Sequence, residues 1–273
     1  MMKKLYIGKS WLYIPLIIMT AFYLIPMYVM LATGFKSFAE VDLKTMWNLP
    51  QGIAFDNYIE AYKNLAPSLK NSFLMVIPAT LISSMLGSLN GFILAKWKFR
   101  GADIIFPFLL FGMFIPYQSI IIPLVQFMNA IGVKGLAGLA MAHIIYGIPI
   151  TTLTFRNYYA SLPQELLEAA KIDGASMLEV YRHILLPISI PSFVVVLIWQ
   201  FTSAWNDFLF AVILTGNTDW PITVALNNMA GSQIIAWNVQ MAGSLLAALP
   251  TLLVYIFLGR YFLRGLLAGS LKG

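Results

Sequence analysis

The stretch from Trp11 to Phe35 reads WLYIPLIIMTAFYLIPMYVMLATGF and holds no charged residue. At a rise of about 1.5 Å per residue such a run is long enough to cross roughly 30 Å of hydrocarbon as one helix. Lys3, Lys4 and Lys9 precede it, which gives its start the look of a secretory leader. It is too long for a typical leader's apolar region, and no small-x-small cleavage site closes it. A retained first transmembrane helix is therefore expected. The rest of the chain repeats this texture, and that repetition sets the fold class.

Five further apolar runs follow. With the first, the expected spans are 11–34, 71–95, 102–128, 135–155, 188–214 and 241–263, six in all, within a single transmembrane domain covering 1–273. Of 273 residues, 60% are hydrophobic and only 10% charged, against about 25% charged in an ordinary soluble domain. The third span carries Pro107, Pro116 and Pro123, so a kinked or partly re-entrant segment is expected there. There is no cysteine, which excludes disulfides, zinc–thiolate sites and thiol nucleophiles. His143 and His183 are the only histidines, too few for an imidazole metal cage. No Ser-His-Asp or paired-carboxylate constellation points to hydrolysis. Hence a membrane-embedded enzyme is disfavoured.

The net charge of +6 does not imply nucleic acid, because no basic stripe with interleaved aromatics lies outside the apolar runs. The cations instead fall in short loops. Lys3, Lys4, Lys9, Lys96, Lys98, Arg100, Arg156, Lys171, Arg182, Arg260, Arg264 and Lys272 stand on one side, and Lys36, Lys44, Lys63, Lys70 and Lys134 on the other. Twelve against five, which together make the 17 cations of the chain, place both termini in the cytoplasm.

Two loops are longer than connectors need to be. The external one, from Lys36 to Lys70, has mixed charge, aromatics and the turn Pro50-Gln51-Gly52, and is expected to form a small outward-facing cap. The internal one, 156–187, contains Ser161-Leu162-Pro163-Gln164-Glu165-Leu166-Leu167-Glu168-Ala169-Ala170-Lys171-Ile172-Asp173-Gly174-Ala175-Ser176. Ser161 with Gln164 reads as a capping box with Pro163 in the first turn. That helix is expected to stop near Gly174 in a left-handed cap. Ser176 with Glu179 reads as a second box, opening a helix that ends before Pro187. Leu166, Leu167, Ala170 and Ile172 are expected to form an apolar side, with Glu165, Glu168 and Lys171 opposite. On these residues alone, two readings stay open: a helix meeting a partner protein, or an amphipathic helix resting on membrane lipid.

The spacing Glu168-Ala169-Ala170, then Gly174, then Ile184-Leu185-Leu186-Pro187, resembles the EAA loop of ABC importer permeases. Trp205-Asn206-Asp207-Phe208 and the ending Arg260-Tyr261-Phe262-Leu263-Arg264-Gly265-Leu266 through Gly269 to Lys272-Gly273 extend the likeness over nearly the whole chain. Together they are similar to the second permease of carbohydrate ABC importers, the maltose-permease-G-like branch. The resemblance implies an all-α, metI-like fold with six spans in a bacterial or archaeal cell (inner) membrane. It implies partners as well: a second homologous permease, two cytoplasmic ATPase subunits, an extracellular or periplasmic solute-binding protein and a carbohydrate cargo. The coupling residues it implies are Glu168, Ala169, Ala170, Asp173, Gly174, Ile184, Leu186 and Pro187. In the family, Glu168 meets a basic residue of the ATPase, Ala169 and Ala170 allow close approach, and Gly174 turns the chain. No Gly-x-x-x-x-Gly-Lys-Ser/Thr phosphate loop occurs, so ATP and Mg are expected on separate ATPase chains, with no cofactor on this one.

Charges inside spans are costly and mark functional candidates. Counting from Ile188 puts Asp207 roughly 28 Å along its helix, near the outer end. There, with Asn206 and Trp205, it is expected to line the substrate path, unless it is an interfacial carboxylate. Asn90, Gln118, Gln126, Gln200 and His143 can bind sugar hydroxyls, although interhelical hydrogen bonds are the commoner use. Trp199, Trp205, Trp220 and Trp237 can stack sugars or belong to interfacial belts. Two alternatives remain: a gradient-driven secondary transporter, which needs carboxylates near the midplane, and an ABC permease for a non-sugar solute such as a glycerol phosphate.

Overall fold

The computed structural model describes Trp11, 13–97, 99–231 and 235–270, and of 171 and 262–270 only the backbone. Lys3, Lys4, Lys9, Lys98, Lys272 and Gly273, counted above, lie outside the described residues, as do the side chains of Lys171 and Arg264. Most of the described residues are helical, with no strand among them. In order they form α1 (Tyr13–Gly34), α2 (Asp56–Lys96), α3 (Ala102–Phe111), α4 (Ile121–Ala130), α5 (Gly135–Ala160) and α6 (Glu165–Ile172). There follow α7 (Met177–Val180), α8 (Leu186–Ile188), α9 (Ile190–Trp205), α10 (Leu209–Leu214), α11 (Ile222–Ala230) and α12 (Trp237–Ser270).

Four helices are long and apolar enough to cross a membrane unbroken: α1, α2, α5 and α12 up to Tyr261. Two further helix pairs pass the same test together but are bent. Ala102–Phe114 meets Tyr117–Ala130 at 92°, and Met177–Ile188 meets Ile190–Trp205 at 75°. The first bend falls at Pro116, the proline that the sequence marks for it. The fifth crossing differs from the continuous 188–214 span expected. It runs as α9, breaks at Asn206–Phe208 and resumes as α10.

The first long loop also differs. It is confined to short turns before Asp56, and residues 56–70 belong to α2, which continues through 41 residues. Helix α11 was not expected at all; it is too short for a span and too apolar to read as a loop.

The chain divides into two compact units. One comprises 1–66 and 226–249. In it, Asn57 ties the chain leaving α1 by donating from Nδ2 to the carbonyls of Gly34 (2.9 Å) and Lys36 (2.8 Å), while its Oδ1 accepts from Asn238 Nδ2 at 2.8 Å. Lys36, counted among the external cations, is buried, and its Nζ donates to the carbonyl of Thr45 at 2.8 Å. It thereby satisfies the end of a short 3₁₀ turn, Leu43–Thr45.

The other unit, 67–225 and 250–273, is built on α2, α5 and α9. A Cβ on Gly87 would come within 2.9 Å of the Thr151 carbonyl carbon, and one on Gly91 within 2.7 Å of Phe155 Cβ. Small residues thus let α2 and α5 touch along their backbones, which in a bilayer replaces the missing hydrophobic drive between helices. Polar contacts add to this. Gln200 Nε2 donates to Ser83 Oγ at 3.1 Å, and Thr151 Oγ1 to the Ser83 carbonyl at 3.0 Å. Such interhelical bonds average about 0.6 kcal/mol each. Gln200, one of the in-span amides considered for sugar binding, is therefore committed to packing.

Candidate coupling site

The segment linking α5 to α9 is assembled in short, separately capped pieces. Helix α5 runs to Ala160, and the Ser161 hydroxyl donates back to the Tyr158 carbonyl at 2.7 Å. The expected Ser161–Gln164 capping box is therefore not made: α5 overruns the position where Ser161 would begin a new helix. Lys96, at the end of α2, donates from Nζ to the Leu162 carbonyl at 2.7 Å and fixes the exit of α5.

Helix α6 then carries Glu168, Ala169 and Ala170. Leu167 (3% exposed) and Ala170 (6%) face a core of Phe92, Phe155, Tyr159, Val180, Tyr181, Leu185 and Val196. The apolar face is narrower than expected, since Leu166 and Ile172 are exposed. Two residues, three apart, anchor the helix; burying a leucine stabilises by roughly 1.5–3 kcal/mol. Of the paired alanines, Ala169 is exposed and Ala170 is buried within this chain. Glu168, Asp173 and Gly174 are exposed beside Ala169.

Gly174 has φ +80°. The Ala175 N–H reaches the Ala170 carbonyl at 3.0 Å, the six-to-one bond of a Schellman ending. Ser176 then starts α7. Its N–H donates to Glu179 Oε2 at 2.7 Å, and the Glu179 N–H returns to Ser176 Oγ at 3.4 Å, so the expected second box is present. The Ser176 hydroxyl and then its N–H hold the Glu179 carboxyl below the usual glutamate range. Because the folded value is lowered, this contribution is complete at neutral pH and is lost only as pH falls through that lowered value.

The chain does not stop before Pro187. Residues Tyr181–Leu185 widen into one π-helical turn, and α8 carries on through Pro187 to Ile188. Pro187 has no N–H for the carbonyl one α-turn earlier, and the wider turn re-pairs the backbone locally. The real break comes two residues later, at Ser189. Ile184 and Leu186 are half-buried against the core, and Pro187 is exposed.

The second cluster singled out from the sequence is dispersed. Trp205 is 3% exposed and packs on Phe73 (centroids 4.9 Å) and Phe201 (5.5 Å), so it does not face a path. Asn206 is exposed, with its amide on the Thr202 carbonyl at 3.0 Å. Asp207 lies just past the end of α9. It sits in the break and caps α10, accepting from the Ala211 N–H at 3.0 Å and the Phe210 N–H at 3.4 Å. His143 Nε2 lies 3.4 Å from its Oδ2. Sequence reasoning weighed His143 and Asp207 separately and missed the pair, for a carboxylate four residues before a backbone N–H is the only local signal of such a cap.

Apolar helices long enough to cross a bilayer, two bent pairs among them and a capped helix between them define an all-helical membrane protein. The protein family described as the binding-protein-dependent transport system inner membrane component matches residues 84–267. The chain is 45% identical to a probable ABC transporter permease of Pyrococcus horikoshii, over 100% of both chains. It is 37% identical to the xylose/arabinose import permease protein XacI of Haloferax volcanii, over 90% of this chain and 87% of that one. Its fold is that of a chain from a bacterial ABC transporter involved in import of the acidic polysaccharide alginate, with a TM-score of 0.79, 21% identity, and 94% and 98% of the two chains covered. The chain belongs to this family and is an inner-membrane permease component of a binding-protein-dependent transport system.

A side chain at Gly174 would meet nothing within 4 Å, so only its positive φ resists substitution. Gly174→Leu is expected to cost about 1–2 kcal/mol, and Gly174→Asn less, because asparagine tolerates the left-handed region. Amide exchange across 165–176 should quicken in the leucine variant and stay near wild type in the asparagine variant. Equal exchange in all three would refute the cap.

Proposed function

We propose that this chain is half of the translocation pore of an ATP-driven carbohydrate importer, and that α6 is the element its ATPase grips. The observation that carries this reading is the opposition of faces on α6. Leu167 and Ala170 root it in the chain's own core, while Glu168, Ala169, Asp173 and Gly174 are exposed, and none of the four packs into that core among the described residues. A small residue at the exposed position lets a partner's surface reach the helix backbone, and Glu168 offers a carboxylate to a cation there. Ile184, Leu186 and Pro187 then carry the load toward α9.

The remaining assembly follows from the family. A second homologous permease completes the pore, two cytoplasmic ATPases hold ATP and Mg, and an external solute-binding protein delivers cargo. This chain itself holds no cofactor and hydrolyses nothing. A carbohydrate cargo is supported by the relative named for xylose and arabinose import. The path past this subunit runs by the fifth-span break, where Asn206 is presented, Asp207 sets the turn and Trp205 stiffens α9 from behind. Both termini lie in the cytoplasm, on the side of the twelve cations counted above.

Glu168→Lys places a cation against the cation expected on the ATPase. Like charges at a desolvated interface cost several kcal/mol, enough to weaken binding by about a hundredfold or more. Affinity-tagged Glu168→Lys permease should insert normally yet lose its ATPase on purification. Full retention would remove α6 from the interface.

Orientation has its own test. The chain has no cysteine, so one introduced at Gly174 should react with an impermeant thiol reagent only from the cytoplasm, and one at Asp56 only from outside. Reversed labelling would invert the topology and exclude α6 as a cytoplasmic coupler.

A further inference from the structure

Beneath α6 lies a chain of four buried hydroxyls that the coupling reading does not use. Tyr181 Oη donates to Ser88 Oγ at 3.0 Å, and Ser88 Oγ lies 2.7 Å from Tyr159 Oη. Tyr159 Oη donates to Ser189 Oγ at 3.1 Å, and Ser189 Oγ donates to the Leu186 carbonyl at 2.9 Å. Each hydroxyl has one proton to give. Tyr159 gives its own to Ser189, so the Ser88 proton goes to Tyr159. The order is then fixed: Tyr181 to Ser88 to Tyr159 to Ser189 to the Leu186 carbonyl. Ser88 and Ser189 are fully buried, Tyr159 likewise, and Tyr181 is 4% exposed.

The chain of bonds has a particular route. It leaves the loop at Tyr181, the first residue of the π turn, passes through Ser88 of α2 and Tyr159 of α5, and returns at Ser189, where the crossing bends by 75°. Both ends of the 181–189 segment are thereby tied to the same two helices. Those helices are themselves held in backbone contact at Gly87 and Gly91. Tyr158 adds a parallel tie, donating to the Ile188 carbonyl at 2.5 Å. The apolar core around these groups is attractive but has no preferred register. Hydrogen bonds are directional and weaken steeply when misaligned. In a dry core they also resist being left unmade.

We propose that Tyr159, Ser88, Tyr181 and Ser189 are positioning residues that lock the π turn to the α2–α5 pair. A push on α6 then moves the loop, α2, α5 and the foot of α9 as one body, rather than sliding the loop past them. The inference rests on the coupling role assigned to α6 and goes beyond it to the residues that carry the motion inward. Tyr159 is the centre of the relay. Tyr159→Phe strands the Ser88 proton and removes the donor to Ser189, whereas Tyr181→Phe removes only the first bond.

The absence of cysteine allows spin labels at two chosen sites in the complete transporter. Leu178, on α7, and Leu74, on α2, are both exposed in this chain (69% and 57%). Their separation is measured by pulsed dipolar spectroscopy, without nucleotide and with ATP trapped by vanadate. In the wild type the distance should be the same in both states. In Tyr159→Phe it should shift on trapping, with the ATPases still bound, and in Tyr181→Phe it should shift less. An unchanged distance in Tyr159→Phe would overturn the lock. So would a wild-type distance that shifts as much as the variant's. Loss of the coupling reading itself would show differently, as a Glu168→Lys permease that keeps its ATPases.

Discussion

The contact on which the rest of this structure depends is the burial of Leu167 and Ala170 against Phe155, Tyr159, Tyr181 and Leu185. A helix of eight residues, such as α6, has no stability of its own in water. Two apolar side chains on one face hold it, and the left-handed ending at Gly174 sets where it stops. With that face committed inward, the opposite face is free to meet something else. On the proposed reading, this division lets a coupling element stay joined to its own bundle while it meets a partner.

Membrane-embedded helices cannot rely on the hydrophobic effect to choose their neighbours, since lipid is as apolar as leucine. The bundle of α2, α5 and α9 solves this with close backbone approach at Gly87 and Gly91, with the Gln200 side chain seated against Gly147, and with buried polar bonds from Ser83, Thr151 and Gln200. The same device reappears at the loop, where hydroxyls of Ser88 and Ser189 meet two tyrosines. Where a crossing is broken, the freed backbone is re-paired locally: Asp207 caps α10, and the π turn precedes Pro187. Non-helical backbone at membrane depth is tolerable only with such substitutes. Family membership disfavours a gradient-driven carrier, and Asp207 accepts from two backbone N–H groups with His143 Nε2 3.4 Å from it.

Much of this was legible in the sequence because hydrophobic runs, prolines and caps are local signals. The four unbroken apolar spans, a bend in the proline-rich third run, the Gly174 stop and the Ser176–Glu179 box all fall where the residues place them. What was not legible depends on contacts between distant residues. Ser161 does not cap because α5 overruns it. Pro187 does not terminate because a π turn absorbs its missing donor. Leu166 and Ile172 look like part of the apolar face, yet only Leu167 and Ala170 meet a core. Trp205, Asn206 and Asp207 are neighbours in sequence but point to different tasks once α9 ends between them, and the His143–Asp207 pair joins residues 64 apart by subtraction of their numbers.

Adjacent alanines with opposite surroundings offer the most direct test of the central claim. Ala169 is exposed on α6 and Ala170 is buried behind it, and no native cysteine interferes. Single cysteines at the two positions, in the assembled transporter, are treated with a short bismaleimide against a cysteine set in the ATPase cleft. The account predicts a crosslink from Ala169→Cys and none from Ala170→Cys. Crosslinking from Ala170→Cys alone, or from neither in an intact complex, would contradict it.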